Sequence, residues 1–139
     1  MTLVIDANVA VKWFIQQQGS DDARRVQAYQ GGLIAPAMLI SETTSALWRH
    51  VKRGDVPPDH ARSALVALPR WFNELVEDQS LALPAFDLAV TLNYAPYDLF
   101  YLALAIDRGS LLVTADQRFI NRLAGTPHKS RIVHLTDWT

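Results

Sequence analysis

The chain has no cysteine among its 139 residues. That excludes disulfide frameworks, thiolate metal sites and cysteine nucleophiles, and it agrees with a reducing compartment. There is no surplus of positive charge either: 13 Lys and Arg stand against 14 Asp and Glu, so any nucleic-acid binding needs a local basic patch. No apolar run approaches the roughly 20 residues of a membrane-spanning helix; the runs at 33–40 and 99–106 are short, and Pro36 interrupts the first. A leader of basic then apolar residues is not seen, because Asp6 breaks the first apolar run after three residues. The expectation is a soluble, cytoplasmic protein. With no repeat, low-complexity tract or linker, and with half of its residues apolar, the chain is expected to form a single domain over 1–139. A mean hydropathy of +0.04 points to some apolar surface covered by a partner or a second copy.

What is present begins with Leu3-Val4-Ile5, an apolar run with two β-branched residues that fits a strand buried on both faces and stops at Asp6. The patterns that follow predict a helix over 9–16, a second to about Gln30 capped by Ser20 or Asp21, and a strand at 33–35, with Pro36 opening the next turn. Helices are predicted over 38–53, stopped by Gly54, and over 59–68. Glu74 to Glu77 reads as an exposed edge strand, and 81–92 as a helix opening near Pro84. An apolar helix follows Asp98 and ends at Arg108-Gly109, and then come a buried strand at 111–114, a helix at 117–123 and a strand at 131–133. Alternating strands and helices predict an α/β sandwich with a mostly parallel sheet.

Four of the acids stand apart. Asp6 and Asp116 directly follow the two most apolar strands, Glu42 is embedded in a helix, and Asp98 opens the most apolar one. Each has a plainer explanation: the three aspartates as helix caps or first-turn residues, Glu42 at the rim of its helix. In a parallel sheet, however, both strand-end acids emerge at the same edge, and helices packed on the sheet can aim the other two there. Clustered carboxylates repel, so four at one pocket imply a divalent cation, and oxygen ligands favour Mg²⁺ or Mn²⁺ over Zn²⁺. Such a site suits phosphodiester hydrolysis. The four histidines (His50, His60, His128, His134) lack ligand spacing and read as surface residues.

Together the segments Val4-Ile5-Asp6-Ala7-Asn8, Pro36 followed by Glu42, Tyr97-Asp98-Leu99-Phe100-Tyr101-Leu102-Ala103-Leu104-Ala105 and Leu112-Val113-Thr114-Ala115-Asp116 resemble the PIN-domain proteins. The closer likeness is to the VapC-type toxin ribonucleases of bacterial type II toxin–antitoxin pairs. The resemblance covers nearly the whole chain. It implies a three-layer α/β/α sandwich with five strands in the order 3-2-1-4-5, a homodimer, and a Mg²⁺- or Mn²⁺-dependent endoribonuclease held in check by a VapB-type antitoxin. It assigns Asp6, Glu42, Asp98 and Asp116 as catalytic acids, with Asp6 and Asp98 as metal ligands, Asp116 as a ligand or an acid standing behind the ligands, and Glu42 binding metal directly or through water. Thr114 is implied as a supporting hydroxyl. Asn8 stands where the family often has Ser or Thr, and an Asn there can hydrogen-bond a metal-bound water or Asp6.

An RNA substrate needs cations near these acids. Arg49 and Arg53 continue the stripe of Glu42, and Arg118 and Arg122 form an i, i+4 pair after Asp116; these four, with Lys12 and Lys52, are the candidate phosphate contacts, against the plainer reading of solvated helix faces. Trp13, Phe14, Trp48, Trp71 and Phe72 divide between core and interface. Two other functions compete. A phosphoryl-accepting receiver also gathers strand-end acids, but it pairs adjacent acids after its first strand and places a Lys after a later one, and neither is present here. A catalytically inactive PIN-like module that only binds RNA or protein would have no need for four acids.

Overall fold

The computed structural model describes all 139 residues. Five strands, β1 (Leu3–Ile5), β2 (Leu33–Pro36), β3 (Glu74–Val76), β4 (Leu111–Thr114) and β5 (Ile132–His134), form one sheet in the order β3-β2-β1-β4-β5. Every pairing is parallel. The expected order is borne out, and the sheet is wholly rather than mostly parallel. β1 is central and β4 lies beside it, all of β1 is buried, and Leu112, Val113 and Thr114 are buried too. This explains why these strands read as continuous apolar runs while the edge strand β3 carries Glu74.

Seven α-helices flank the sheet: α1 (Ala7–Ala10), α2 (Ser20–Gln27), α3 (Leu39–Lys52), α4 (Pro58–Ala67), α5 (Asp78–Leu92), α6 (Pro96–Arg108) and α7 (Gln117–Leu123). Helix α6 lies against β1, β2 and β4, and α5 packs on α6. Burying Leu99, Tyr101, Leu102, Leu104 and Ala105 makes α6 the main apolar wall of a 28-residue core. A smaller cluster of Val11, Ile15, Leu47, Val56, Ala61 and Ala64 fixes the α3–α4 pair to the turn after α1. Gly109 ends α6 at φ 60°, a conformation costly for any residue with a Cβ. That reversal lets the Ser110 N–H reach the Ala105 carbonyl at 2.9 Å as the chain enters β4.

Some boundaries differ from the sequence pattern. The helix expected over 9–16 is α1 followed by a 3₁₀ turn at Val11–Trp13. Pro36 is the last residue of β2 rather than the opening of a helix, paired with Val76 of β3. Helix α5 starts at Asp78, so Pro84 lies inside it. The missing Pro84 N–H leaves the Ser80 carbonyl without its helical partner, a cost that packing of Leu81 and Ala85 offsets. No helix is long and apolar enough to cross a membrane.

Candidate active site

The register of β1 and β4, with Ile5 opposite Val113, carries one step further to put Asp6 beside Thr114. Asp6 follows the end of β1, only 6% exposed. The Thr114 hydroxyl donates to Asp6 Oδ2 at 2.9 Å. The same hydroxyl oxygen accepts from the Asp116 N–H at 3.1 Å and from Asn8 Nδ2 at 3.3 Å. Asn8 Oδ1 accepts in turn from the Ala115 N–H at 3.0 Å. Asn8 thus straps the end of β1 to the end of β4 through Thr114 and Ala115, rather than bonding the Asp6 side chain.

Three of the four acids line one cavity of about 420 Å³: Asp6, Glu42 from α3 and Asp98 from the first turn of α6. Glu42 Oε1 accepts from the Tyr101 hydroxyl at 2.5 Å. Burial, with the charges of Asp98 and Glu42 and against the Thr114 hydrogen bond, pushes Asp6 up to about 7. Burial and the charges of Asp116 and Glu42 push Asp98 up to about 6, tempered by the Tyr94 hydroxyl. Burial also raises Glu42, opposed by the Tyr101 hydrogen bond and assisted by the charge of Asp78. These shifts follow from the burial of several negative charges in and around one pocket.

Asp116 stands next to Asp98 electrostatically but not on that cavity. Its Oδ1 caps α7, accepting from the Arg118 N–H at 3.0 Å and the Phe119 N–H at 3.3 Å. No three acidic or histidine side chains close on one point as a finished metal cage. The donor set nevertheless fits a hard divalent ion, since Asp6, Glu42 and Asp98 offer only oxygen and are raised in pKa by burial and neighbouring charge, which for Glu42 is that of Asp78.

The cations are unequal. Arg49 lines the acid cavity and bonds only the uncharged Ser45 hydroxyl, at 3.0 Å. Arg53 lines it as well but shares Asp55 with His50. Arg118 is exposed, two residues beyond Asp116. Arg122 has another task, donating to the Leu92 and Asn93 carbonyls at the end of α5. Lys12 lines the cavity and donates to the Gln18 carbonyl at 2.8 Å, and burial lowers its pKa. Lys52 lies over the Trp48 ring instead.

Two participants had no role in the sequence reading. Tyr101 sits three residues after Asp98 on the apolar helix, and only the folded arrangement, which brings its hydroxyl within reach of α3, reveals it as the partner of Glu42. His50, read as surface, is on the cavity wall; its i+8 spacing from Glu42 was the available signal. Among the aromatics, Trp13 is core and packs against Phe14, Trp71 and Phe72, while Trp48 is exposed.

A family model described as the PIN domain matches residues 3–125. Ribonuclease VapC3 of Pyrobaculum aerophilum is 30% identical over 124 residues, which is 88% of this chain and 95% of that protein. Among solved structures, PAE2754 from Pyrobaculum aerophilum superposes with a TM-score of 0.72 at 21% identity, covering 98% of this chain and 90% of that one. A toxin–antitoxin complex from Klebsiella pneumoniae gives 0.69 at 16% identity over 96% and 97% of the two chains. VapBC2 from Rickettsia felis, bound to a DNA fragment from its promoter, gives 0.70 at 14% over all of both. With a family model over most of its length and a curated relative over nearly nine-tenths, the chain belongs to the PIN-domain family, on its VapC-like toxin ribonuclease branch.

Proposed function

We propose that this protein is a Mg²⁺- or Mn²⁺-dependent endoribonuclease, the toxin of a VapBC-type pair restrained by a small antitoxin. The observation that carries the reading is a single cavity lined by Asp6, Glu42 and Asp98, in which burial and neighbouring charge raise all three carboxyls. Asp6 and Asp98, with Asp116 beside Asp98, would hold the cation, and Glu42 would bind it directly or through water. When bound, it supplies charge neutralisation at the phosphoryl oxygens and a lowered pKa for attacking water.

The chain's own groups do the rest. Thr114 fixes the Asp6 carboxylate through Oδ2, and Asn8 holds Thr114 in place. Tyr101 pins Glu42 by Oε1, which leaves Oε2 to take the proton of the attacking water; its burial-raised pKa suits that role. Arg49, without a carboxylate partner, meets the phosphate, and Lys12 lies on the same wall. Arg53 and Arg118 extend the basic rim, and Arg122 is the weakest of the candidate contacts because its donors are already engaged. The homodimer implied by the family has a fitting surface on α5, where Leu83, Phe86 and Val90 are 71%, 61% and 67% exposed at helical spacing.

The test is cleavage of a mixed tRNA and rRNA pool by the purified chain, free of antitoxin. Discrete fragments in Mg²⁺ or Mn²⁺ are expected, abolished by EDTA and by Asp6→Ala. A folded protein that binds metal yet leaves the RNA intact would point to the inactive binding module instead.

A further inference from the structure

Beside the acid cavity, on the other side of Glu42, lies a second cleft of about 470 Å³ between α3, the start of α5 and the start of α6. Glu42 lines both, so the two are contiguous. The cleft is mainly apolar, and its most prominent wall is Tyr97, 67% exposed in the first turn of α6 and one residue before Asp98. Tyr97 makes no side-chain hydrogen bond and stacks on no other aromatic ring, unlike Tyr29, Tyr94 and Tyr101. Phe100, three residues on, lines the same cleft.

The polar groups of the cleft carry unused valences. Ser41 Oγ donates to the Met38 carbonyl, which leaves its lone pairs open. Ser45 Oγ accepts from Arg49, which leaves its proton to give. Asp78 Oδ1 accepts from the Met38 N–H at 3.0 Å, and Oδ2 has no partner. A partner protein's apolar side chain would bury these groups unsatisfied, at a cost that a hydrogen-bonding planar ring avoids.

We propose that this cleft seats the unpaired base next to the scissile phosphodiester, with Tyr97 as its stacking platform and Asp78, Ser41 and Ser45 reading its edge. The proposal rests on the ribonuclease reading for the word scissile. A phosphate held at the acid cavity leaves the flanking base one nucleotide away, on the side where Tyr97 stands. Aromatic stacking tolerates any base, so the edge decides identity. A carboxylate oxygen accepts, and guanine alone among the four bases turns two adjacent N–H donors, N1–H and N2–H, along one edge. Guanine is therefore the preferred occupant.

The test has two arms. In the first, single-stranded RNA carrying 2-aminopurine at successive positions is bound to the full chain with Asp6→Asn, which prevents cleavage. Quenching at one position is expected, kept by Tyr97→Trp and lost by Tyr97→Ala. In the second, the chain with Asp6 intact cleaves matched substrates with guanine, inosine or adenine at that position. Guanine should be cut at least about tenfold faster than adenine, with inosine between. Asp78→Asn keeps the Oδ1 acceptor for Met38 and should erase the guanine preference while Tyr97-dependent quenching remains.

Quenching that is indifferent to Tyr97, or a loss of cleavage on Asp78→Asn that is equal for guanine, inosine and adenine, overturns the proposal. So does an RNA signal untouched by Tyr97→Ala when binding of a purified protein partner is abolished, which would make the cleft a protein-docking surface. Quenching without any cleavage by the chain with Asp6 intact would sink the ribonuclease reading and leave the base subsite standing. Failure to bind RNA at all would remove both.

Discussion

Tyr101 is where a single residue bears most on the site. Its ring is wholly buried in the core while its hydroxyl reaches Glu42 across from α6 to α3, so one side chain ties packing to chemistry. Tyr101→Phe keeps the ring and removes the donor. A hydrogen bond to an ionised group contributes about 1.5–3 kcal/mol, and with Glu42 partly open to solvent the lower end is expected for the loss of stability, read from denaturant midpoints. Without the hydroxyl, Glu42 titrates higher still and is less well positioned, so the kcat of RNA cleavage should fall and the acid limb of its pH profile should move upward. An unchanged profile would mean that Tyr101 serves packing only. Tyr101 lay inside the segment that carried the family resemblance, but no local pattern in the sequence distinguished it from the apolar residues around it. Its role depends on which helix face meets α3, and that is a property of the assembled fold.

At the level of elements, two features separate structural from chemical roles. Asp116 is both a candidate acid and the cap of α7, a seven-residue helix that donates two of its N–H groups to the Asp116 carboxylate. Asp116→Ala should cost about 1 kcal/mol of stability through the lost cap, whereas Asp116→Asn keeps an acceptor and should cost little. Both should impair cleavage if the charge matters, so comparing melting curves with rates separates the two duties. Helix α5 holds Pro84 in its interior. Where the backbone allows an ordinary helical residue, Pro84→Ala restores the bond to Ser80 and should stabilise the protein by about 1–3 kcal/mol, visible as a higher melting temperature. A lower one would mean that the helix bends around this proline to fit α6.

Strand ends and helix interiors were legible wherever the signal was local. The stops of β1 and β4 at carboxylates, Glu42 within a helical stripe, Gly109 as a terminator and the charged edge strand β3 all stood in the sequence. Pro84 misled because a proline usually opens a helix, and here the tertiary packing of Leu81 and Ala85 on α6 overrode that preference. The second cleft, with Asp78 brought to Ser41 and Ser45 from 33 or more positions away, had no sequence signature. Neither did the engagement of Arg122 with the end of α5.

The whole molecule is organised around an energetic conflict: the fold buries acids that repel one another. Asp6 has an ordinary carboxyl pKa of 3.8 when unfolded and about 7 when folded, so between these values the folded state binds more protons. Folding stability contributed by Asp6 is therefore fully present below about pH 4 and is lost as pH rises toward 7, with Asp98, raised to about 6, adding in the same direction. For Asp6 the full span corresponds to roughly 4 kcal/mol by the linkage relation. In EDTA, the metal-free protein should melt at a lower temperature at pH 8 than at pH 5.5, and Asp6→Asn should flatten that dependence. An unfolding curve that grew more stable with pH over this range would contradict the burial of an ionisable Asp6. A bound divalent ion would reverse the trend, because it binds the deprotonated acids and so binds more tightly as pH rises.

The most direct measurement of the central claim is therefore a Mn²⁺ titration followed by electron paramagnetic resonance at pH 8, in which bound ion is removed from the six-line signal of free Mn²⁺. The protein should take up Mn²⁺ saturably, Mg²⁺ should compete for the same site, and Asp6→Asn and Asp98→Asn should each weaken binding at least tenfold while the protein stays folded. Binding that is absent, or equally tight in both variants, would contradict the assignment of these carboxylates as a cation site.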